Sequence, residues 1–359
     1  MRAIDPSPVA VFRADASIGI GGGHVRRCLV LGRALSESGW SVRFASAPGA
    51  EEAVPGLKNL DAAVIALPIA SDEAELIRDA IPGGCDLLVV DHYRRDANFE
   101  SRLRDWTKRI LVIDDLADRS HDCDVLVDQT PGRNQDDYRA LVPAPCQILA
   151  GSDYALLDPR FAARRSGGRR RSGEVKRIVV SLGTTDPGGA TALVIDALKE
   201  LDIDASVDVV VGAASPHRAA VERAVGSLSP PGRVFVDVDD MASLLAGADL
   251  VIGGGGVSAL ERCCLGIPSL LLILAGNQRG NAAELERVGA ALVLDEPEWR
   301  QPSALVQAIR ELAADLVGLS DMSRAAAAVV DGMGVRRVLA FCRPQSDTVM
   351  THAGKGRVQ

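Results

Sequence analysis

No apolar segment of this chain approaches the about 20 residues that cross a bilayer, and its N-terminus lacks a secretory-signal pattern. These absences predict a soluble, cytoplasmic protein without a membrane partner. Its seven cysteines show no metal-type CxxC spacing, and their odd number points to a reducing compartment and core packing more than to disulfides. The adjacent Cys263-Cys264 pair is read as small side chains packed on a helix, with redox activity as the alternative. No GK[ST] follows any glycine run, which excludes a P-loop. A basic excess is also missing. The formal net charge of −8 argues against a general nucleic-acid binder and confines any phosphate site to backbone amides and a few arginines.

What is present is an alternation of short apolar runs with helical patterns. Candidate strands are Val9–Phe12, Val42–Ser46, Ala63–Leu67, Leu87–Asp91, Ile110–Asp114 and Val125–Asp128, then Ile178–Leu182, Val207–Val211, Val234–Val238, Leu250–Gly253, Ser269–Leu274 and Ala291–Leu294. Continuous Val/Ile/Leu runs separated by helices predict parallel sheets covered on both faces. At 359 residues the chain exceeds one ordinary core. It divides into an N-terminal α/β domain over 1–162, a Gly/Ser/Arg linker over 163–174, a second α/β domain over 175–342 and a disordered tail over 343–359. The five arginines near the linker are read as solvated, with an RNA contact as the alternative. The expected picture is two doubly wound, Rossmann-like domains facing a central cleft, with ligands beyond the carboxyl ends of the strands.

Loops after strands carry the chemistry. Between Val9–Phe12 and a helical pattern starting near His24 lie four glycines, Gly19, Gly21, Gly22 and Gly23. Glycine lets a ligand approach the backbone, and a helix start favours anions and a neutral imidazole. His24 is therefore either a general base beside a phosphate ester or merely a capping or packed residue. The run is not a dinucleotide fingerprint: histidine stands in place of the third glycine, and the second strand ends Phe44-Ala45-Ser46-Ala47 without an acid for a ribose.

A second run, Gly253-Gly254-Gly255-Gly256, leads from a strand into the helix Val257–Leu265, and its free amides suit a diphosphate. In that helix Ser258 and Glu261 have capping-box spacing, while Glu261 could instead hold the hydroxyls of a ribose. A third loop, Ser181 to Gly189, offers the hydroxyls and amides of Ser181, Gly183 and Thr184 to phosphate, or is simply an Asp-Pro-Gly turn. Asp91-His92-Tyr93 points into the same cleft, and Asp114-Asp115 reads as loop caps more than as a metal site.

Together these loops resemble the PseG/SpsG family, which comprises the UDP-sugar hydrolase of pseudaminic acid biosynthesis and the related spore-coat polysaccharide protein. The family's first signature, RADAS-x-x-IG-x-GH-x-x-RC, is matched by Arg13–Ser17, Ile20, Gly21, Gly23, His24, Arg27 and Cys28. Further matches are Val90-Asp91-His92-Tyr93, Ile113 to Ala117 with Asp122-Cys123-Asp124, Tyr154 to Leu157, Glu261-Arg262-Cys263, Leu265 to Ser269, and Asn277-Gln278. The resemblance runs collinearly over residues 8 to 300. The chain departs from it at Arg26, where the family often has an apolar residue, at Gly276 and at Val257.

The resemblance implies a GT-B-like fold with UDP on the second domain and the sugar facing the first. It implies His24 as general base, Glu261 as uridine-ribose ligand, Ser258 beside the phosphates, and Asn277 and Gln278 on sugar or diphosphate. The candidate substrate-binding set is completed by Arg13, Asp15, Gly21, Gly23, Arg27, Tyr93, Ser181, Gly183, Thr184, Gly255 and Gly256. Arg13 and Arg27 are expected either to neutralise the diphosphate or to form ion pairs. The implied activity is inverting hydrolysis of a UDP-linked 2,4-diacetamido-2,4,6-trideoxyhexose, the L-altrose of pseudaminic acid synthesis, by a monomer with no metal or other cofactor. UDP-sugar is the substrate and UDP a product, with no nucleic acid involved. A GT-B glycosyltransferase using a UDP-sugar donor and a non-catalytic nucleotide-sugar binder are the alternatives.

Overall fold

The computed structural model describes residues 7–17, 22–58, 63–68, 72–165, 174–186, 188–201 and 203–343. Gly21 and the 344–359 part of the expected tail lie outside these described residues, as do 166–173 of the expected linker. Two parallel sheets form the frame. The first contains β1 (Val9–Ala14), β2 (Ser41–Ser46), β3 (Ala63–Ala66), β4 (Leu87–Asp91), β5 (Ile110–Ile113), β6 (Val125–Asp128) and β7 (Gln147–Ala150), in the order β3-β2-β1-β4-β5-β6-β7. The second contains β8 (Arg177–Ser181), β9 (Ser206–Val211), β10 (Arg233–Val236), β11 (Leu250–Gly254), β12 (Ser269–Leu272) and β13 (Leu292–Leu294), in the order β10-β9-β8-β11-β12-β13.

Every pairing is parallel. Central strands such as β4 and β5 are buried along their whole length, which is why they read as unbroken apolar runs. β7 escaped the sequence reading because it is an edge strand with an exposed Gln147 and a single buried residue, too weak a pattern to stand out. Among the described residues no helix is long and apolar enough to cross a membrane.

Strand order reverses between β1 and β4 in the first sheet and between β8 and β11 in the second. At such points the flanking loops diverge and leave a crevice beyond the carboxyl ends. Ala14 lies in register with Asp91 at the first crevice, and Gly253 with Ser181 at the second. The motifs singled out in the sequence sit at these two places.

The expected domain boundaries need two corrections. Helix Gly334–Leu339, assigned to the second domain by the 175–342 boundary, places Val335 and Val338 in the core of the first, where Cys342 is also buried. Conversely helix Pro159–Arg165 packs Phe161 among second-domain residues. Arg165 donates to the carbonyls of Cys264 (3.1 Å), Val330 (2.7 Å) and Ala327 (2.6 Å). Arg165 is thus a clamp and not part of a solvated linker; buried carbonyls at helix ends need such donors. All seven cysteines are buried free thiols, and burial pushes the thiols of Cys263 and Cys264 up to about 12 and about 11.

The returning helix depends on close backbone contact. A Cβ on Gly334 would stand 2.2 Å from the carbonyl oxygen of Ala155. Gly334→Ala should therefore cost about 1–3 kcal/mol in urea unfolding. Gly226→Ala, whose new methyl meets nothing within 4 Å, should be neutral or stabilising. Equal midpoints for the two variants would disprove the docking account.

Candidate active site

The first crevice is organised by one carboxylate. Asp91, fully buried at the end of β4, receives Arg27 Nε at 2.6 Å and Arg27 Nη2 at 2.7 Å, and lies 2.6 Å from His24 Nδ1. The thiol of Cys28 also donates to it at 3.5 Å. Helix Gly23–Glu37 supplies all three partners, because residues one turn apart share the face directed at β4. Burial by itself raises the Asp91 carboxyl, but the charges and hydrogen bonds of Arg27 and His24 outweigh it and hold the group well below the usual carboxylate range. An ionised carboxylate only accepts, so in the neutral ring Nδ1 carries the proton and Nε2 keeps its lone pair. Nε2 has no hydrogen bond among the described residues. His24 is thus not the cap of its helix; its ring pairs with Asp91.

Tyr93 stands edge-on to His24, with ring centres 4.5 Å apart and planes at 81°. Its hydroxyl donates to Asp115 Oδ2 at 3.4 Å and accepts from Asn277 Nδ2 of the second domain at 2.7 Å. Asp115 also binds Arg27 Nη1 at 3.0 Å. Burial first, and then the Asp115 charge, raise the Tyr93 phenol above its ordinary range, so it stays a neutral donor and acceptor.

Arg13 and Asp15 form a separate network. Arg13 is buried and donates Nη1 and Nη2 to Asp15 at 2.6 and 3.0 Å, and Nε and Nη2 to Glu73 at 2.7 and 2.9 Å. Arg95 closes the other side of Glu73 at 2.9 and 2.5 Å. His92 Nδ1 accepts the Arg94 amide at 3.0 Å, so Nε2 carries the hydrogen that reaches Asp15 at 3.1 Å. Burial is the main force lowering the His92 pKa, and the neutral ring fits this arrangement. The ion-pair alternative therefore holds for Arg13 and for Arg27: each guanidinium is committed to two carboxylates. Gly23 opens the helix exposed, with nothing near its missing side chain.

In the second crevice, the expectation of four free glycine amides is only partly met. Gly253 and Gly254 are strand residues paired to Leu271 and Leu272. A Cβ on Gly253 would lie 2.8 Å from Arg262 Nη1 and 3.0 Å from the Ser181 carbonyl oxygen, so this glycine makes room for a buried arginine. Arg262 donates to the Gly254 carbonyl at 2.6 Å and to Ser258 Oγ at 3.2 Å, and burial lowers its pKa to about 10. The Gly255 amide is taken by Gln278 Oε1 at 3.2 Å, which also accepts from the Leu274 amide at 3.1 Å. Asn281 holds the carbonyls of Gly255 and Gly256 at 2.5 and 3.3 Å. Gln278 thus shapes the loop through its Oε1.

Helix Ser258–Cys264 has no side-chain cap, so the capping-box alternative fails. The half-buried Glu261 carboxylate makes no hydrogen bond among the described residues, and burial raises its pKa. In the third loop, Asp186 caps the helix Ala190–Lys199 by accepting the amides of Ala190 and Thr191, both at 2.9 Å, and the Thr184 carbonyl accepts the Gly212 amide at 3.0 Å. Ser181 is half-buried at the end of β8 and Gly183 is exposed, with φ at 98°. Asp114 serves as the expected loop cap, accepting Ala117 N at 2.8 Å and Tyr138 Oη at 2.9 Å.

The sequence reading put Asp91 in the cleft but gave it no role, and it passed over Asp115 as a site residue along with Asn281. An acid closing the apolar run Leu88-Val89-Val90 beside the first strand was the available signal for Asp91. Nothing local marks Asn281.

The chain is similar to known proteins over most of its length. The glycosyltransferase family 28 C-terminal domain matches residues 178–334. The spore coat polysaccharide biosynthesis protein SpsG of Bacillus subtilis is 31% identical over 205 residues, 56% of this chain but only 60% of that protein. The UDP-2,4-diacetamido-2,4,6-trideoxy-beta-L-altropyranose hydrolase of Campylobacter jejuni is 25% identical over 284 residues, covering 78% of this chain and 96% of that protein. Among solved structures, MurG of Acinetobacter baumannii superposes with a TM-score of 0.66 at 16% identity, over 94% of this chain and 99% of that one. The calicheamicin glycosyltransferase CalG4 does so with a TM-score of 0.62.

The Arg13 network makes a pH prediction. Burial raises the Glu73 carboxyl, but Arg13 and Arg95 more than reverse this, taking it from 4.5 down to about 2. A depressed folded value stabilises above the unfolded value and is lost as pH falls. Urea midpoints should therefore drop between about pH 4.5 and 2, and Glu73→Gln should flatten that slope. An unchanged slope would show that Glu73 is not held by the two arginines. With its two doubly wound sheets, the chain has the GT-B fold; it carries a glycosyltransferase family 28 C-terminal region over residues 178–334 and is similar to SpsG and to the Campylobacter jejuni hydrolase.

Proposed function

We propose that this protein is an enzyme acting on UDP-sugars and, more specifically, that it hydrolyses a UDP-linked 2,4-diacetamido-2,4,6-trideoxyhexose, with L-altrose as the sugar, at the anomeric carbon with inversion. The observation that carries the reading is the His24–Asp91 pair at 2.6 Å, with Nε2 making no hydrogen bond among the described residues. The collinear match to the Campylobacter jejuni hydrolase supports the substrate class.

In the proposed step, water approaches the anomeric carbon from the face opposite UDP. Its oxygen forms the new C–O bond while the bond from carbon to the β-phosphate oxygen breaks, the electron pair leaving with UDP. His24 Nε2 takes the water proton, and the ionised Asp91 beside Nδ1 stabilises the imidazolium that results. Tyr93 and Asn277, joined across the two domains, would flank the sugar. Glu261, with its carboxylate unspent, would take the ribose hydroxyls, and Gly256 and Ser258 would neighbour the diphosphate. The step uses no metal.

The second reading is a glycosyltransferase with an acceptor hydroxyl in place of water, favoured by the transferase relatives that match parts of the chain. Incubation with the UDP-sugar in heavy-oxygen water without acceptor separates the two. Label in the free sugar, with unlabelled UDP, is the expected result; label in the phosphate refutes anomeric attack, and absence of turnover favours the transferase. His24→Asn should lower turnover by about 10²–10⁴-fold while UDP affinity stays within a few-fold. A variant that keeps its rate would remove His24 from the base role.

A further inference from the structure

The buried arginines of the first crevice, Arg27 and Arg13, are committed. Arg27 faces two carboxylates, Asp91 and Asp115, and leaves that pocket with an excess of negative charge. Arg13 and Arg95 are balanced by Asp15 and Glu73, with His92 neutral between them. Glu261 adds another carboxylate from the second domain. A diphosphate entering this cleft therefore meets acids without an available counter-charge from the residues expected to supply it.

Arg26 is placed differently. It is exposed on the first turn of helix Gly23–Glu37, between the buried Val25 and Arg27, and its guanidinium makes no hydrogen bond or ion pair among the described residues. Its Nε stands 3.3 Å from the position of a Cβ on Gly22, so the side chain folds back against Gly22 at the N-terminal end of the helix. The missing Cβ of Gly22 makes room first for Val54 Cγ2, 2.9 Å from its position, and then for the Arg26 Nε. From there its charge acts on the Glu261 carboxyl of the facing domain.

We infer that Arg26 is a further substrate-binding residue, the cation that receives the diphosphate of the nucleotide at the N-terminal end of helix Gly23–Glu37. The inference rests on the nucleotide-sugar reading above. An unpaired guanidinium can bind two phosphate oxygens through a fork of N–H groups, and it gives up no existing ion pair to do so.

Calorimetric titration of UDP and of uridine into wild type, Arg26→Met and Arg26→Lys tests this. Wild type should bind UDP more tightly than uridine. Arg26→Met should weaken UDP by about ten-fold or more with uridine unchanged, and Arg26→Lys should recover part of the loss. The salt dependence of UDP binding should also be shallower in Arg26→Met. Unchanged UDP affinity in Arg26→Met, or an equal loss of uridine and UDP, overturns the assignment while leaving the nucleotide reading intact. Failure of wild type to bind either ligand overturns both.

Discussion

The site depends on a single buried carboxylate. Asp91 ends the strand beside β1, where strand order reverses, and it is fully buried. An unpaired carboxylate there would be prohibitively costly, so its partners are obligatory. Those partners, His24, Arg27 and Cys28, all come from one helix. The constraint therefore fixes the rotation of that helix against the sheet, the tautomer of His24 and the direction of Arg27 at once. Arg27 then recruits Asp115, which meets Tyr93, which meets Asn277 across the cleft. A chain of contacts starting from one charge thus reaches from the floor of the first domain to the second.

The second domain is built around a different problem. Arg262 is buried with no carboxylate paired to it among the described residues, and the strand gives it a carbonyl and the helix a hydroxyl. Glycine at 253 is the cost of fitting that guanidinium against the sheet. The glycine run is thus divided: its first half is sheet serving Arg262, and its second half is loop shaped by Gln278 and Asn281. What remains free to meet a ligand is smaller and more specific than a string of four amides, with Glu261 standing beside it.

Crossed helices tie the halves together. Helix Pro159–Arg165 leaves the first domain and packs in the second, while helix Gly334–Leu339 leaves the second and packs in the first. Each exchange buries apolar side chains of one half in the core of the other, which gives the cleft two covalent crossings as well as its polar contacts. Ser152 Oγ to the Val329 carbonyl at 2.6 Å and Arg337 to the Asp153 carbonyl at 2.8 Å lie along the same seam. The seam lies where Tyr154 to Leu157, one of the family-like stretches, runs.

Much was legible in the sequence because it is local. Unbroken apolar runs marked the buried parallel strands, and the loops after them marked the two crevices, since a doubly wound sheet leaves no other open edge for a ligand. His24 stood out by its place after glycines at a helix start. The weak edge strand β7 and the return of Val335 and Val338 to the first core were not legible, because both depend on what lies opposite and not on the run itself. The same holds for charge. Sequence supplied Arg13, Arg26 and Arg27 as three nearby cations, without saying which was spent. Only the tertiary structure decided that, by burying Arg13 between Asp15 and Glu73 and Arg27 between Asp91 and Asp115 while leaving Arg26 exposed. Ion pairing joins residues far apart in the chain, so its outcome is set by distance in the fold and not by spacing in the sequence.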